Sequence, residues 1–208
     1  MKAVKIKEVL ETATISKPCT VQGWVRTFRA NRFVALNDGS TIDNLQCVVD
    51  FESLKESLLK QINTGAALRL EGTLVESRGG GQKVELQVDK VILLGSSDPE
   101  KYPIQAKKHS LEFLREKAHL RVRTTTFSAV MRVRSALSFA VHEFFQEEGF
   151  FHINTPIVTG SDAEGAGEMF KVTALPFDGT PRTEDGKVNY KEDFFGKETN
   201  LTVSGQLE

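Results

Sequence analysis

Apolar and polar positions alternate along residues 19–28 (CTVQGWVRTF), and β-branched or aromatic types fill many of the places. A period of two predicts a strand. Residues 33–37 (FVALN) predict a second short strand, ended by the turn signal Asp38-Gly39-Ser40. Residues 44–51 (NLQCVVDF) predict a third. The period then changes. In residues 51–62 (FESLKESLLKQI), Leu54, Leu58 and Ile62 fall every fourth position, which marks one face of a short helix. Two further strands follow at 67–77 and 82–95, joined by Gly79-Gly80-Gly81.

Three strands, a helix and two strands are the element order of an OB-fold, a small barrel that often holds single-stranded nucleic acid. Another small β-barrel or sandwich is the alternative. Residues 95–110, with two prolines and mixed polar residues, read as a linker. Residues 109–124 are charged and helical in their first half. Thr124, Thr125 and Thr126 supply a cap for a long helix over about 126–148. Phe127, Val130, Met131, Leu137, Val141, Phe144 and Phe145 share its apolar stripe, and Gly149 stops it. A short strand is predicted at 150–154 (FFHIN), running into Thr155-Pro156. Residues 160–167 form a mobile loop by composition, and 176–199 are polar and turn-rich. The chain closes on LTVSGQLE, which reads as the middle of a strand, so a fragment of a longer protein is expected.

The formal net charge of -1 over 208 residues predicts no nucleic-acid binding by itself, so any RNA site must come from local clusters. Cys19 and Cys47 are far apart and form no CxxC, which points to two buried reduced thiols rather than zinc or a disulfide. The N-terminus has no apolar run long enough for a signal peptide or membrane span, so a cytoplasmic setting without a membrane partner is the default.

Arg26, Arg29 and Arg32 crowd the first strand pair, interleaved with Trp24, Phe28 and Phe33. Guanidinium groups bind phosphates and exposed rings stack on unpaired bases. Gln46 carries both a donor and an acceptor, as reading a base edge requires. A solvated basic edge over core aromatics is the alternative, and Trp24 in particular suits the core. His142-Glu143 fails the HExxH pattern, because position 146 is Gln146, and a surface or packing pair is expected. The four histidines form no ligand set, so no metal site is expected. The glycine run joins two strands and reads as a hairpin rather than a phosphate cradle.

The stretch RSALSFAVHEFFQEEGFFHINTPIVTGSDAEGAGEMF resembles the first signature motif of class II aminoacyl-tRNA synthetases. GWVRTFRANRFVALNDGSTIDNLQCVVD resembles the anticodon domain of the subclass formed by the aspartyl, asparaginyl and lysyl enzymes. The resemblance covers nearly the whole chain. It implies an α+β protein: an OB-fold anticodon-binding domain at 1–98, a linker or hinge at 99–124, and at 125–208 the beginning of a class II antiparallel-sheet catalytic domain. It also implies roles. Phe33 stacks on the central anticodon uridine, Gln46 reads it, Arg29 faces the RNA backbone, and Glu85 contacts the first anticodon base; Arg26 joins the anticodon-binding candidates from the basic cluster alone. Glu164 receives the substrate's α-ammonium group, while Ser204 and Gln206 belong to the amino-acid-binding segment. Pro156, Phe144 and Phe145 lie at a homodimer interface.

Ser204-Gly205-Gln206-Leu207, where aspartyl enzymes typically have Ser-Pro-Gln-Leu, resembles the bacterial-type asparaginyl branch, as does MFKVTALPFDGTPRTEDGKVNYKEDFFGK. The implied reaction forms asparaginyl-adenylate from asparagine and ATP, with Mg²⁺ screening the phosphates, and passes the acyl group to the 3′ end of tRNA-Asn. The ATP-binding arginines of the second and third motifs are expected beyond residue 208, so no catalytic residue is assigned, and the chain alone is expected to make no adenylate. The rivals are an aspartyl-tRNA synthetase, whether or not it also charges tRNA-Asn, and a non-catalytic module binding tRNA or single strands.

Overall fold

The structure, a computed structural model, describes residues 2–12, 14–50, 52, 54–77, 79, 81–161 and 169–206. It divides into two compact units, residues 1–139 and 140–208.

In the first unit, β1 (Pro18–Arg29), β2 (Phe33–Asn37), β3 (Leu45–Val49), β4 (Ala67–Glu76) and β5 (Val84–Gly95) close into a barrel of order β1-β2-β3-β5-β4. This is the OB-fold that the element order predicts. The β3–β5 seam is parallel and the other pairings are antiparallel. Alternation sends Val34, Leu36, Leu45, Cys47, Val49, Leu68, Leu70 and Leu86 inward, all nearly or fully buried. Each buried Leu or Val contributes roughly 1.5–3 kcal/mol. Cys19 and Cys47 are free thiols in this core, and burial pushes both thiols above their ordinary value.

Two helices differ from expectation. The helix read over 51–62 shrinks to α2 (Glu56–Leu59), although Ile62 is still buried and Leu54 still packs on the core. A longer helix is not needed to deliver those side chains, and so short a helix gains few backbone bonds for its nucleation cost. A helix not read from the sequence, α1 (Ile6–Thr12), buries Ile6 and Val9 against the barrel. Its signal was present in the spacing of Ile6, Val9 and Leu10.

The β2–β3 turn ties α1 down. Asp38 Oδ2 accepts from the Ile6 amide at 3.0 Å, and Oδ1 accepts from the Ser40 amide at 2.9 Å and hydroxyl at 2.6 Å. Partial burial opposes the charge, but these donors outweigh it and hold the carboxyl below the usual carboxylate value. The stabilisation is therefore complete above the unfolded-state pKa and fades as pH falls through the lower folded value. Asp38→Ala should cost about 1 kcal/mol at neutral pH, as lost helix caps do. Urea titrations should also show that Asp38→Asn loses less stability than the parent between neutral pH and about pH 3. Equal acid sensitivity of the two proteins would rule this account out.

The connecting residues 96–124 carry α3 (Leu111–Glu116), whose Ser110 hydroxyl accepts from the Phe113 amide at 3.2 Å, and a 3₁₀ turn at Arg121–Arg123. α4 spans Thr125–Glu147. Thr124 Oγ1 accepts from the Phe127 amide at 3.3 Å as its cap, and Gly149 with φ +83° lies just past its end. No α4 residue is buried, and Leu137, Phe144 and Phe145 on its stripe are 63%, 57% and 48% exposed.

In the second unit, β6 (Val158–Thr159), β7 (Lys171–Val172) and β8 (Thr199–Leu201) form a small antiparallel sheet of order β6-β8-β7. The strand predicted at 150–154 does not form. Among the described residues it has no ladder partner, and Phe151 and Ile153 are 88% and 76% exposed. Alternation alone does not make a strand where no edge accepts its backbone groups. Residues 176–199 are turn-rich as expected, pinned by the Asp193 carboxylate. Its Oδ1 accepts from the amides of Ala174 at 2.9 Å and Phe194 at 2.8 Å.

Candidate functional site

The outer face of β1, β2, β3 and β5 collects most of the residues singled out in the barrel. Arg29 pairs with Phe33 across β1–β2, and Phe33 with Val48 across β2–β3. One step along, Thr27, Ala35 and Gln46 line up, with Glu85 beside them on β5. The inward alternation of Val34, Cys47 and Leu86 forces this, since their neighbours must point out. Phe33 is partly exposed, and the Arg32 guanidinium stands 5.8 Å from its ring centroid. A half-exposed ring flanked by cations provides a stacking platform with phosphate partners.

Gln46 and Glu85 are joined. Gln46 Nε2 donates to Glu85 Oε2 at 3.0 Å, and the Ser77 hydroxyl donates to the same oxygen at 3.4 Å. The Gln46 amide N–H donates to Gln82 Oε1 at 3.2 Å. Glu85 is only 7% exposed although its neighbours Val84 and Leu86 are the core residues of the strand, and Gln46 and Ser77 both bond its carboxylate. No sequence rule located this contact, since β3 and β5 meet only in the closed barrel.

Arg26 is not in this group. It is the extra residue of a β-bulge between Val25 and Thr27, and bulges re-aim side chains. Its Nη1 donates to the backbone oxygen of Arg123. Burial pulls the Arg26 guanidinium below its ordinary pKa. Arg26 lines a cleft of about 590 Å³ with Trp24, Tyr102, His119, Arg123 and Arg132. Trp24, suspected of a core role, instead lies 38% exposed under the Arg123 guanidinium, 4.2 Å from its ring centroid. Arg132 and Gly39 both line the cleft, and Arg132 Nη2 donates to the Gly39 carbonyl at 2.6 Å.

In the second unit, the segment carrying Ser204 and Gln206 runs against Thr155. A Cβ built on Gly205 would lie 2.6 Å from Thr155 Cγ2 and 2.7 Å from its hydroxyl. Thr202 Oγ1 donates to the Ser204 carbonyl at 2.5 Å, and the Thr202 amide donates to the Ile157 carbonyl at 3.0 Å. Ser204 Oγ is buried and has no hydrogen-bond partner among the described residues. A buried hydroxyl in that state is a group that a polar ligand would satisfy. Glu164 lies outside the described residues. Pro156 is exposed, as are Phe144 and Phe145, whose rings meet edge-on at 5.3 Å. The His142 ring lies 4.7 Å from that of His152. Among the described residues no three His, Cys, Asp or Glu side chains converge to hold a metal. Nor, among them, is any helix long and apolar enough to cross a membrane.

An outward Phe–Gln–Arg face on a five-stranded barrel, followed by a long helix and the start of a second sheet, defines a class. Residues 19–94 match the OB-fold nucleic acid binding domain family, and residues 110–180 match the class II tRNA synthetases (D, K and N). The chain belongs to the D, K and N group of class II tRNA synthetases. Within that group its curated relatives include asparagine–tRNA ligases. That of Cytophaga hutchinsonii is 54% identical over 213 residues, covering 100% of this chain and 46% of that protein. That of Porphyromonas gingivalis is 50% identical, covering 100% and 45%. The chain thus spans a little under half the length of the curated relatives it matches. Among solved structures, asparaginyl-tRNA synthetase from Pyrococcus horikoshii complexed with asparaginyl-adenylate has a TM-score of 0.73 at 21% identity, covering 99% of this chain and 44% of that one. The Entamoeba histolytica asparaginyl-tRNA synthetase has a TM-score of 0.71 at 20% identity, with the same coverages. These two likenesses concern the fold.

Proposed function

We propose that this chain is the anticodon-binding and leading catalytic part of an asparagine–tRNA ligase working in the cytoplasm. The observation that carries the reading is identity of about half along the entire chain to asparagine–tRNA ligases, joined to the outward Arg29–Phe33–Gln46 face. The barrel takes the anticodon loop of tRNA-Asn. Phe33 stacks on the central uridine, Gln46 reads its edge, and Arg29 and Arg32 meet the phosphates. Arg26 serves the RNA indirectly, by bracing the barrel against Arg123.

In the second unit, Ser204 and Gln206 line the pocket for free asparagine, with Glu164 as the carboxylate for its α-ammonium group. Charge pairing of that kind is strong once water is excluded. ATP and Mg²⁺ enter as reactants of the whole enzyme, which joins asparagine to ATP and then to the tRNA 3′ end. Positioning and charge stabilisation carry such chemistry, with little covalent work by the protein. Exposed Phe144, Phe145 and Pro156 suit burial against a second subunit in a homodimer.

Phe33→Ala should weaken binding of an RNA hairpin carrying the asparagine anticodon by about 1–3 kcal/mol, the worth of one base–aromatic stack. Fluorescence anisotropy on the 208-residue chain measures it. Parent-like affinity would remove the barrel face from the RNA site. Asparagine-dependent ATP–pyrophosphate exchange by the protein extended to its relatives' full length tests the enzymatic half. Exchange with aspartate instead would overturn it.

A further inference from the structure

Glutamine is an ambivalent reader. Its amide presents a carbonyl acceptor or an NH₂ donor depending on a half-turn that costs almost nothing in open water. Uracil and cytosine differ at the atom such a side chain meets: N3 of uracil carries a hydrogen, and N3 of cytosine carries a lone pair. An unrestrained glutamine accepts from the first or donates to the second, and so separates them poorly.

Gln46 is not unrestrained. Its Nε2 is committed to Glu85 Oε2 at 3.0 Å, which turns Oε1 away from that carboxylate. Ser77 donates to the same Glu85 oxygen, and Gln82 holds the Gln46 backbone amide. Turning the Gln46 amide over would press its carbonyl oxygen against the carboxylate of a 7% exposed residue, two acceptors with no proton between them.

We propose that Glu85 is a positioning residue that locks the Gln46 amide, so that Gln46 accepts from uracil N3–H and rejects cytosine at the central unpaired base. The proposal rests on the RNA-face reading given above. Glu85 touches no base in this role. It makes the wrong amide orientation costly, and so converts a side chain indifferent between two pyrimidines into a selective one. This differs from a direct contact between Glu85 and the first anticodon base.

Three hairpins test it by anisotropy on the 208-residue chain: central uridine, central cytosine, and a changed first anticodon base. The isosteric Glu85→Gln, whose amide can itself turn over, should reduce the uridine-over-cytosine preference about tenfold, the order expected for relieving one buried mispaired acceptor. The change should come mainly from tighter cytosine binding, with uridine affinity held within about twofold. Glu85→Ala should act in the same direction, and combining it with Gln46→Ala should add nothing to the loss caused by Gln46→Ala alone. Thermal unfolding by circular dichroism verifies that each variant is folded. An unaltered central preference in Glu85→Gln overturns the proposal, as does a change confined to the first base. If Phe33→Ala leaves hairpin binding intact, or the parent ignores all three hairpins, the RNA-face reading falls and the proposal with it. Weakened binding by Phe33→Ala alongside an unchanged Glu85→Gln preference sinks the lock alone.

Discussion

Gly72→Ala is expected to destabilise the barrel by about 3 kcal/mol, the upper end of what over-packing usually costs. A Cβ at this position would lie 2.0 Å from the Gln87 carbonyl oxygen, 2.9 Å from its carbon and 2.9 Å from Val88 Cα. All three are backbone atoms of β5, so no side chain can rotate out of the way. The site sits where β4–β5 pairing shifts register between Glu71 and Gly72, jumping from Lys90 to Val88. Moving the strands apart would strain the ladder that closes the barrel. Gly81→Ala is the control, because a Cβ there meets nothing within 4 Å. It should change stability by under about 0.5 kcal/mol. Urea unfolding followed by circular dichroism compares the two. Gly72→Ala as stable as Gly81→Ala would show that β4 and β5 do not approach so closely.

The second large effect is functional. In the protein extended to full length, Gly205→Ala should lower kcat/KM for asparagine by about a hundredfold, the scale associated with a displacement of about 1 Å at a reacting centre. The added carbon would fall 2.6 Å from Thr155 Cγ2. Thr155 has little room to yield. It is β-branched, and Pro156 behind it restricts its backbone. The segment bearing Ser204 and Gln206 must then move instead. Binding of the anticodon hairpin should be unaffected, since the barrel is a separate unit. Trimming the obstacle in Thr155→Ala/Gly205→Ala should restore part of the loss. Unchanged asparagine kinetics in the single variant would detach this segment from the substrate pocket.

The barrel was legible because its strands obey one rule, inward apolar and outward polar, over enough residues to mark each. β2 falls on the residues that the alternation predicts, and β1 starts and ends one residue beyond its predicted limits. The helical segments were harder. Ile6, Val9 and Leu10 carry a helical spacing in too few residues to stand out, and α1 depends on the Asp38 cap supplied by a distant turn. The opposite error occurred at 150–154, where suitable residues find no neighbouring edge among those described. In the site, Phe33 and Gln46 could be singled out by residue type. The Gln46–Glu85 bond could not, because it joins residues 39 apart whose meeting requires the parallel β3–β5 seam. Arg26 shows the same limit. Its charge suggested RNA, but a single inserted residue in the β1–β2 ladder aims it at Arg123.

The two neighbours of β5 set an order on how the barrel comes into being. β1 to β4 can assemble as an open ribbon of order β4-β1-β2-β3, leaving raw edges on β3 and β4. β5 is the last of the five to leave the ribosome, and it fills both edges at once. A nascent chain halted before Val84 therefore holds an unsealed sheet prone to sticking to its neighbours. Only residues 84–95 can seal that ribbon, because β5 pairs with both β3 and β4.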